Sequence, residues 1–148
     1  MHGERRRLRS MLGNSCMLDA NAVLRFLLKD IDEQFQQVRT LIRTKKCYVT
    51  LEVLAEVCYV LEGVYQVSRE DAARNFRKLN NDVSILNADV LLRALEIYDT
   101  MPKLDFVDCI LYGYNRERGI EIVTFDKKLK KRMEDINTTL QLFKRNAA

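Results

Sequence analysis

Tryptophan is absent, proline and histidine occur once each, and glycine five times in a chain of 148 residues. So little proline and glycine disfavours long irregular stretches, and regular elements joined by short loops are expected. The one histidine, His2, precedes the expected domain. Imidazole is therefore not expected there as a general base or metal ligand. Cys16, Cys47, Cys58 and Cys109 show no Cys-x-x-Cys spacing, so a structural zinc site is not expected. Each sits among apolar residues, as buried free thiols do, which suits a reducing cytoplasm. The apolar runs are too short and interrupted to span a bilayer, so no membrane association is expected.

A strong excess of one charge is also lacking. The formal net charge is +4, and residues 1–16 carry +3 of it through Arg5, Arg6, Arg7 and Arg9 against Glu4. Net charge thus offers no independent argument for a nucleic-acid partner, and charge placement has to supply one. What is present is a globular balance, 47% hydrophobic and 31% charged, enough for one domain with a core. The expected organisation is a basic arm over 1–15, a folded domain over 16–143 and a tail over 144–148. The arm lacks the apolar stretch of a secretory signal.

Residues 16–19 form an apolar run ending at an acid, which predicts a buried first strand. Helical spacing follows over 21–28 and again over 32–44, where Phe35, Val38, Leu41 and Ile42 make the buried stripe. A second strand is predicted at 47–50, and Thr50 is placed to cap a helix over 51–65 that is apolar nearly all round and so central. Ser68 and Asp71 have capping-box spacing before a helix reaching about residue 79. A strand over 82–86, a helix over 88–99 capped by Asn87, and a helix over 105–118 stopped by Gly119 come next. The clearest strand pattern is 120–124, followed by a short basic helix over 127–133 and a last strand over 139–142. Alternating strands and helices predict an α/β domain with a mainly parallel sheet, whose sites lie beyond the carboxyl ends of the strands.

Four acids stand at such places. Asp19 ends the first strand, Glu56 lies in an apolar helix, Asp108 opens another, and Asp126 follows the 120–124 pattern. Each has an ordinary alternative. Asp19 and Asp126 suit helix N-caps, Asp105 and Asp108 suit a capping pair, and Glu56 can share a solvated stripe with Glu52. If the fold gathers these carboxylates, their mutual repulsion calls for a hard divalent cation.

Taken together, the segments Met17-Leu-Asp-Ala-Asn-Ala-Val-Leu-Arg25, Leu54-Ala-Glu-Val-Cys-Tyr-Val-Leu61, Asp105-Phe-Val-Asp-Cys-Ile-Leu111 and Ile122-Val-Thr-Phe-Asp-Lys-Lys-Leu129 resemble the motifs of the PIN-domain family. The likeness is in particular to VapC-type ribonuclease toxins of toxin–antitoxin pairs, in order over about residues 17–142. The resemblance implies a three-layer α/β/α sandwich around a mainly parallel sheet. It matches Asp19, Glu56, Asp108 and Asp126 to the family's acidic quartet, Asp105 to a frequent extra acid, and Asn21 and Thr124 to supporting polar residues. Cys109 and Tyr112-Gly-Tyr114 stand where the family usually has an alanine-rich stretch.

The resemblance further implies Mg²⁺ or Mn²⁺ held by the quartet and RNA as substrate. The same ions would lower the pKa of a bound water and stabilise charge in phosphodiester hydrolysis. It also implies a homodimer and an antitoxin whose helix covers an apolar groove, to which Leu27, Val60 and Val64 would contribute. For phosphate contact the candidates are Arg25, Arg116 and Arg118 and the basic run Lys127, Lys128, Lys130, Lys131 and Arg132; the plain alternative for that run is a solvated helix face. Two rival functions are an Asp-nucleophile phosphatase using Asp19 and a silent PIN-like module that binds RNA or a partner. The phosphatase lacks its usual second aspartate, since Asn21 stands two residues on.

Overall fold

The computed structural model describes residues 3–4 and 13–135. The expected last strand over 139–142 and the tail over 144–148 lie outside the described residues, as does most of the arm. The chain forms two compact units, one ending at Ala88 and one beginning at Asp89.

In the first unit, β1 (Ser15–Met17), β2 (Lys46–Val49) and β3 (Ser84–Ile85) form a parallel sheet in that order. Cys16 stands opposite Cys47 and Val49 opposite Ile85. Between β1 and β2 run α1 (Ala20–Leu28) and α2 (Asp32–Thr44), and between β2 and β3 run α3 (Leu51–Gly63) and α4 (Arg69–Asp82). Parallel strands require such crossovers, and helices supply them. The sheet and helices give the α/β class with a parallel sheet predicted from the sequence.

The local signals act as expected at several places. Thr50 Oγ1 accepts the Val53 N–H at 3.2 Å, and Ser68 Oγ accepts the Asp71 N–H at 3.1 Å. Val23, Val49, Leu54, Val57 and Phe76 are fully buried, and Phe26 stacks on Phe35 with ring centroids 5.7 Å apart. Cys16 and Cys47 are free thiols with sulfurs 2.9 Å apart. Burial and the bond to Cys16 push the Cys47 thiol up to about 12, so it stays protonated.

One expectation for this unit needs correction. Helix α3 is two-sided: Leu51, Leu54, Val57, Cys58 and Leu61 are buried, whereas Glu52, Glu56 and Tyr59 are exposed. Those three recur at helical spacing, so one polar stripe survives in an otherwise apolar sequence.

The second unit contains most of α5 (Ala88–Tyr98), then α6 (Phe106–Arg118) and a helix α7 over 127–135. Tyr98 meets Phe106 edge to face, centroids 5.5 Å apart. Gly113 in α6 packs on Val90: a Cβ built there would lie 2.5 Å from the Val90 carbonyl oxygen. Gly119, at φ 65°, closes α6 in the left-handed conformation that glycine favours.

The predicted strand over 120–124 pairs with no strand among the described residues. Ile120, Val123 and Phe125 are 57%, 86% and 100% exposed. Its alternating sequence has strand character, but a strand is completed by a neighbouring edge that local pattern does not encode.

Candidate functional site

In the first unit Asp19 follows β1 after Leu18, and Thr50 follows β2 directly, so both stand at the carboxyl edge of the parallel sheet. The Leu18 N–H bonds to the Tyr48 carbonyl at 2.9 Å, extending the β1–β2 pairing almost to Asp19. Asp19 is the N-cap of α1. Its Oδ1 accepts the Ala22 N–H at 2.8 Å, and its side chain is exposed. The cap uses one carboxylate oxygen, so capping and a chemical role do not compete for the same atom. Asn21 and Glu56 are likewise exposed, on α1 and α3.

Arg25 sits differently from a phosphate-binding side chain reaching into solvent. Its guanidinium bonds to Asp30 at 2.7 Å and to the Tyr65 hydroxyl at 3.4 Å, and its side chain is only 13% exposed. These partners, the Tyr65 bond first, hold its pKa above the ordinary arginine value. Tyr65 lies 40 residues further along, a partner that local sequence could not have named. Leu27 and Val60 are half-buried, while Val64 is exposed.

In the second unit Asp105 and Asp108 share a reciprocal capping box at the start of α6. Asp105 Oδ1 accepts the Asp108 N–H at 2.8 Å, and Asp108 Oδ2 accepts the Asp105 N–H at 3.3 Å. The capping pair offered as the ordinary alternative for these two acids is therefore present. Burial pushes the Asp108 carboxyl up, and the negative charges of Asp105 and Asp126 push it further.

Asp126 caps α7 as Asp19 caps α1. Its Oδ1 accepts the Lys128 N–H at 2.8 Å and the Leu129 N–H at 3.3 Å. Thr124 Oγ1 in turn accepts the Asp126 N–H at 3.0 Å and fixes the approach to that cap.

Of the basic candidates, Lys127, Lys128, Lys130 and Lys131 are exposed on α7. Arg116 is half-buried, and its Nε is buried with no hydrogen-bond partner among the described residues. Arg118 forms a two-point pair with Asp89, at 2.5 and 3.0 Å, which ties α6 to α5 and accounts for its guanidinium. Lys103 was not singled out by the sequence; it lines a cavity with Lys128 and Lys131. Its signal is modest, a cation beside the only proline, two residues before Asp105.

The carboxylates are hard oxygen donors, and the charge pressing on Asp108 is of the kind a divalent cation relieves. Among the described residues, no three His, Cys, Asp or Glu side chains form a group that could hold an ion. No described helix is long and apolar enough to cross a membrane.

Comparison with known proteins gives two findings. The profile of the PIN domain matches residues 16–134. The chain is 27% identical over 125 residues to a protein named VapC ribonuclease from Aquifex aeolicus (strain VF5), covering 78% of this chain and 90% of that protein. No solved structure gives a significant match.

Proposed function

The chain belongs to the PIN domain family, and on that premise we propose that it is a metal-dependent endoribonuclease, the toxin of a type II toxin–antitoxin pair. The observation that carries the reading is the match of residues 16–134 to the PIN domain, and the carboxyl of Asp108, raised by burial and then by the charges of Asp105 and Asp126, supports it. The likeness to a protein named VapC ribonuclease supports RNA as substrate.

In this reading Asp19, Glu56, Asp108 and Asp126 would hold Mg²⁺ or Mn²⁺, which would supply Lewis acidity toward phosphoryl oxygens and make hydroxide available near neutral pH. Asp19 and Asp126 are anchored by the backbone N–H groups at the starts of α1 and α7, which limits their side-chain freedom before substrate arrives. Asp105 and Asp108 brace one another, and Thr124 steadies Asp126. Asn21, two residues after Asp19 in the first turn of α1, is proposed as a polar support. Arg116, Lys127, Lys128 and Lys131 contact RNA phosphates. The role proposed for Arg25 is narrower: with its guanidinium held by Asp30 and Tyr65, it reaches RNA only by exchanging those bonds.

The partners in this proposal are RNA, a cognate antitoxin and a second copy of the chain, in the cytoplasm. Exposed Tyr59 and Val64, 79% and 70% exposed, offer the first unit apolar surface for such contacts.

The test is purified protein, freed of any partner, incubated with a mixed RNA pool in Mg²⁺, Mn²⁺ or EDTA. Cleavage in either metal and none in EDTA is expected. RNA bound but left intact in every condition would replace the nuclease with the silent binding module.

A further inference from the structure

The second unit holds a cavity of about 340 Å³ lined by none of the four proposed catalytic acids. One wall is a face of α7, where Lys128, Lys131, Arg132 and Asp135 recur at helical spacing. The other wall is the turn between α5 and α6, which contributes Met101, Pro102, Lys103 and Leu104. Three apolar side chains thus share the cavity with four cations and one acid.

The excess of cations points to an anionic occupant, and two further features bear on its place. Arg132 Nε is buried and has no hydrogen-bond partner among the described residues. A buried donor left unsatisfied is costly, so the Arg132 side chain gains by turning that nitrogen toward an oxygen acceptor at the cavity. The cavity also adjoins two acids. Leu104 immediately precedes Asp105, and the Lys128 N–H is bound by Asp126 Oδ1 at 2.8 Å.

We propose that this cavity holds one nucleotide of the RNA beside the scissile phosphate. Its base lies against Met101, Pro102 and Leu104, and its phosphate is held by Lys103, Lys128, Lys131 and Arg132. The proposal rests on the nuclease reading and adds a recognition element to it. The volume falls within the range of small-ligand sites. Apolar contact accepts the face of a base, while the cations fix the backbone without reading sequence. Base preference at this one position therefore depends on the shape of the apolar wall.

The experiment uses the full chain in metal-free buffer, with ¹³C-labelled methionine and leucine methyl groups followed by NMR. The four nucleoside 5′-monophosphates are titrated one at a time, with inorganic phosphate and a short polyglutamate peptide as comparators. At least one nucleotide is expected to shift the Met101 and Leu104 signals saturably, and phosphate alone to leave them in place. Lys131→Ala and Arg132→Ala should each weaken that nucleotide's binding about tenfold, the scale of one lost charge-assisted hydrogen bond. The proposal is overturned if no nucleotide shifts these signals, as when another part of the chain fills the cavity. It is equally overturned if phosphate or the peptide acts as strongly, or if both variants bind as wild type does. A chain that shows the expected shifts yet cleaves no RNA supports the cavity and sinks the nuclease reading. Cleavage without any shift sinks the cavity alone.

Discussion

Asp19 and Asp126 each spend one carboxylate oxygen on backbone N–H groups at a helix start, which separates their structural contribution from the chemical one proposed for them. Asparagine caps a helix about as well as aspartate, whereas alanine does not cap it. Asp19→Asn and Asp126→Asn should therefore melt near the wild-type temperature, while Asp19→Ala loses about 0.5–2 kcal/mol by denaturant unfolding. Equal stability of the Asn and Ala variants would mean the cap contributes nothing. Asp108 behaves in the opposite sense. Its carboxyl is raised by burial, then by its negative neighbours, so the charged form is the disfavoured one in the fold. Stability linked to this group is full below the unfolded carboxylate pKa and is lost as pH rises through the raised folded value. Asp108→Asn should accordingly raise the melting temperature at pH 7 in metal-free buffer, with the gain shrinking as the solution is acidified. A gain that stays constant with pH would assign the effect to packing instead of charge.

The helices of the second unit show what a sequence departure does. Gly113 interrupts α6, where glycine costs about 1 kcal/mol of helix propensity against alanine. Yet an added Cβ would meet the Val90 carbonyl oxygen at 2.5 Å. The glycine therefore permits a close backbone approach of α5 and α6, which Asp89–Arg118 and Arg93–Glu117 span as ion pairs. Gly113→Ala is expected to destabilise by about 1–3 kcal/mol despite the better helix former, read as a lower denaturant midpoint. A stabilised variant would show that α5 yields at no cost. Elements with local signals were legible in advance: α2 has the limits its apolar stripe predicts, and Thr50, Ser68 and Gly119 mark the helix ends expected of them. The stretch over 120–124 finds no ladder partner among the described residues, because pairing is non-local, and on α3 the solvated stripe of Glu52 and Glu56, the plain alternative offered for Glu56, is the arrangement present.

Across the whole chain, charge placement matters more than its total. Near-neutral residues 17–148 nonetheless set four cations against one acid in a single cavity, an asymmetry visible only once α7 and the turn before α6 share a wall. The family was legible through the order of four motifs over most of the chain, and the PIN domain matches residues 16–134. The partners of the arginines were less legible, since Tyr65 for Arg25 and Asp89 for Arg118 come from distant positions. The proposed function requires that Asp19 and Asp126, far apart in sequence, serve one reaction. It is tested most directly by a double-mutant cycle on RNA cleavage in Mg²⁺, using Asp19→Asn, Asp126→Asn and the double variant, all confirmed folded. Residues acting as a unit are grossly non-additive. Each single change should cost at least about 100-fold in rate, with the double variant no slower than the slower single. Near-wild-type cleavage by either single variant, or losses that multiply in the double, would contradict the account.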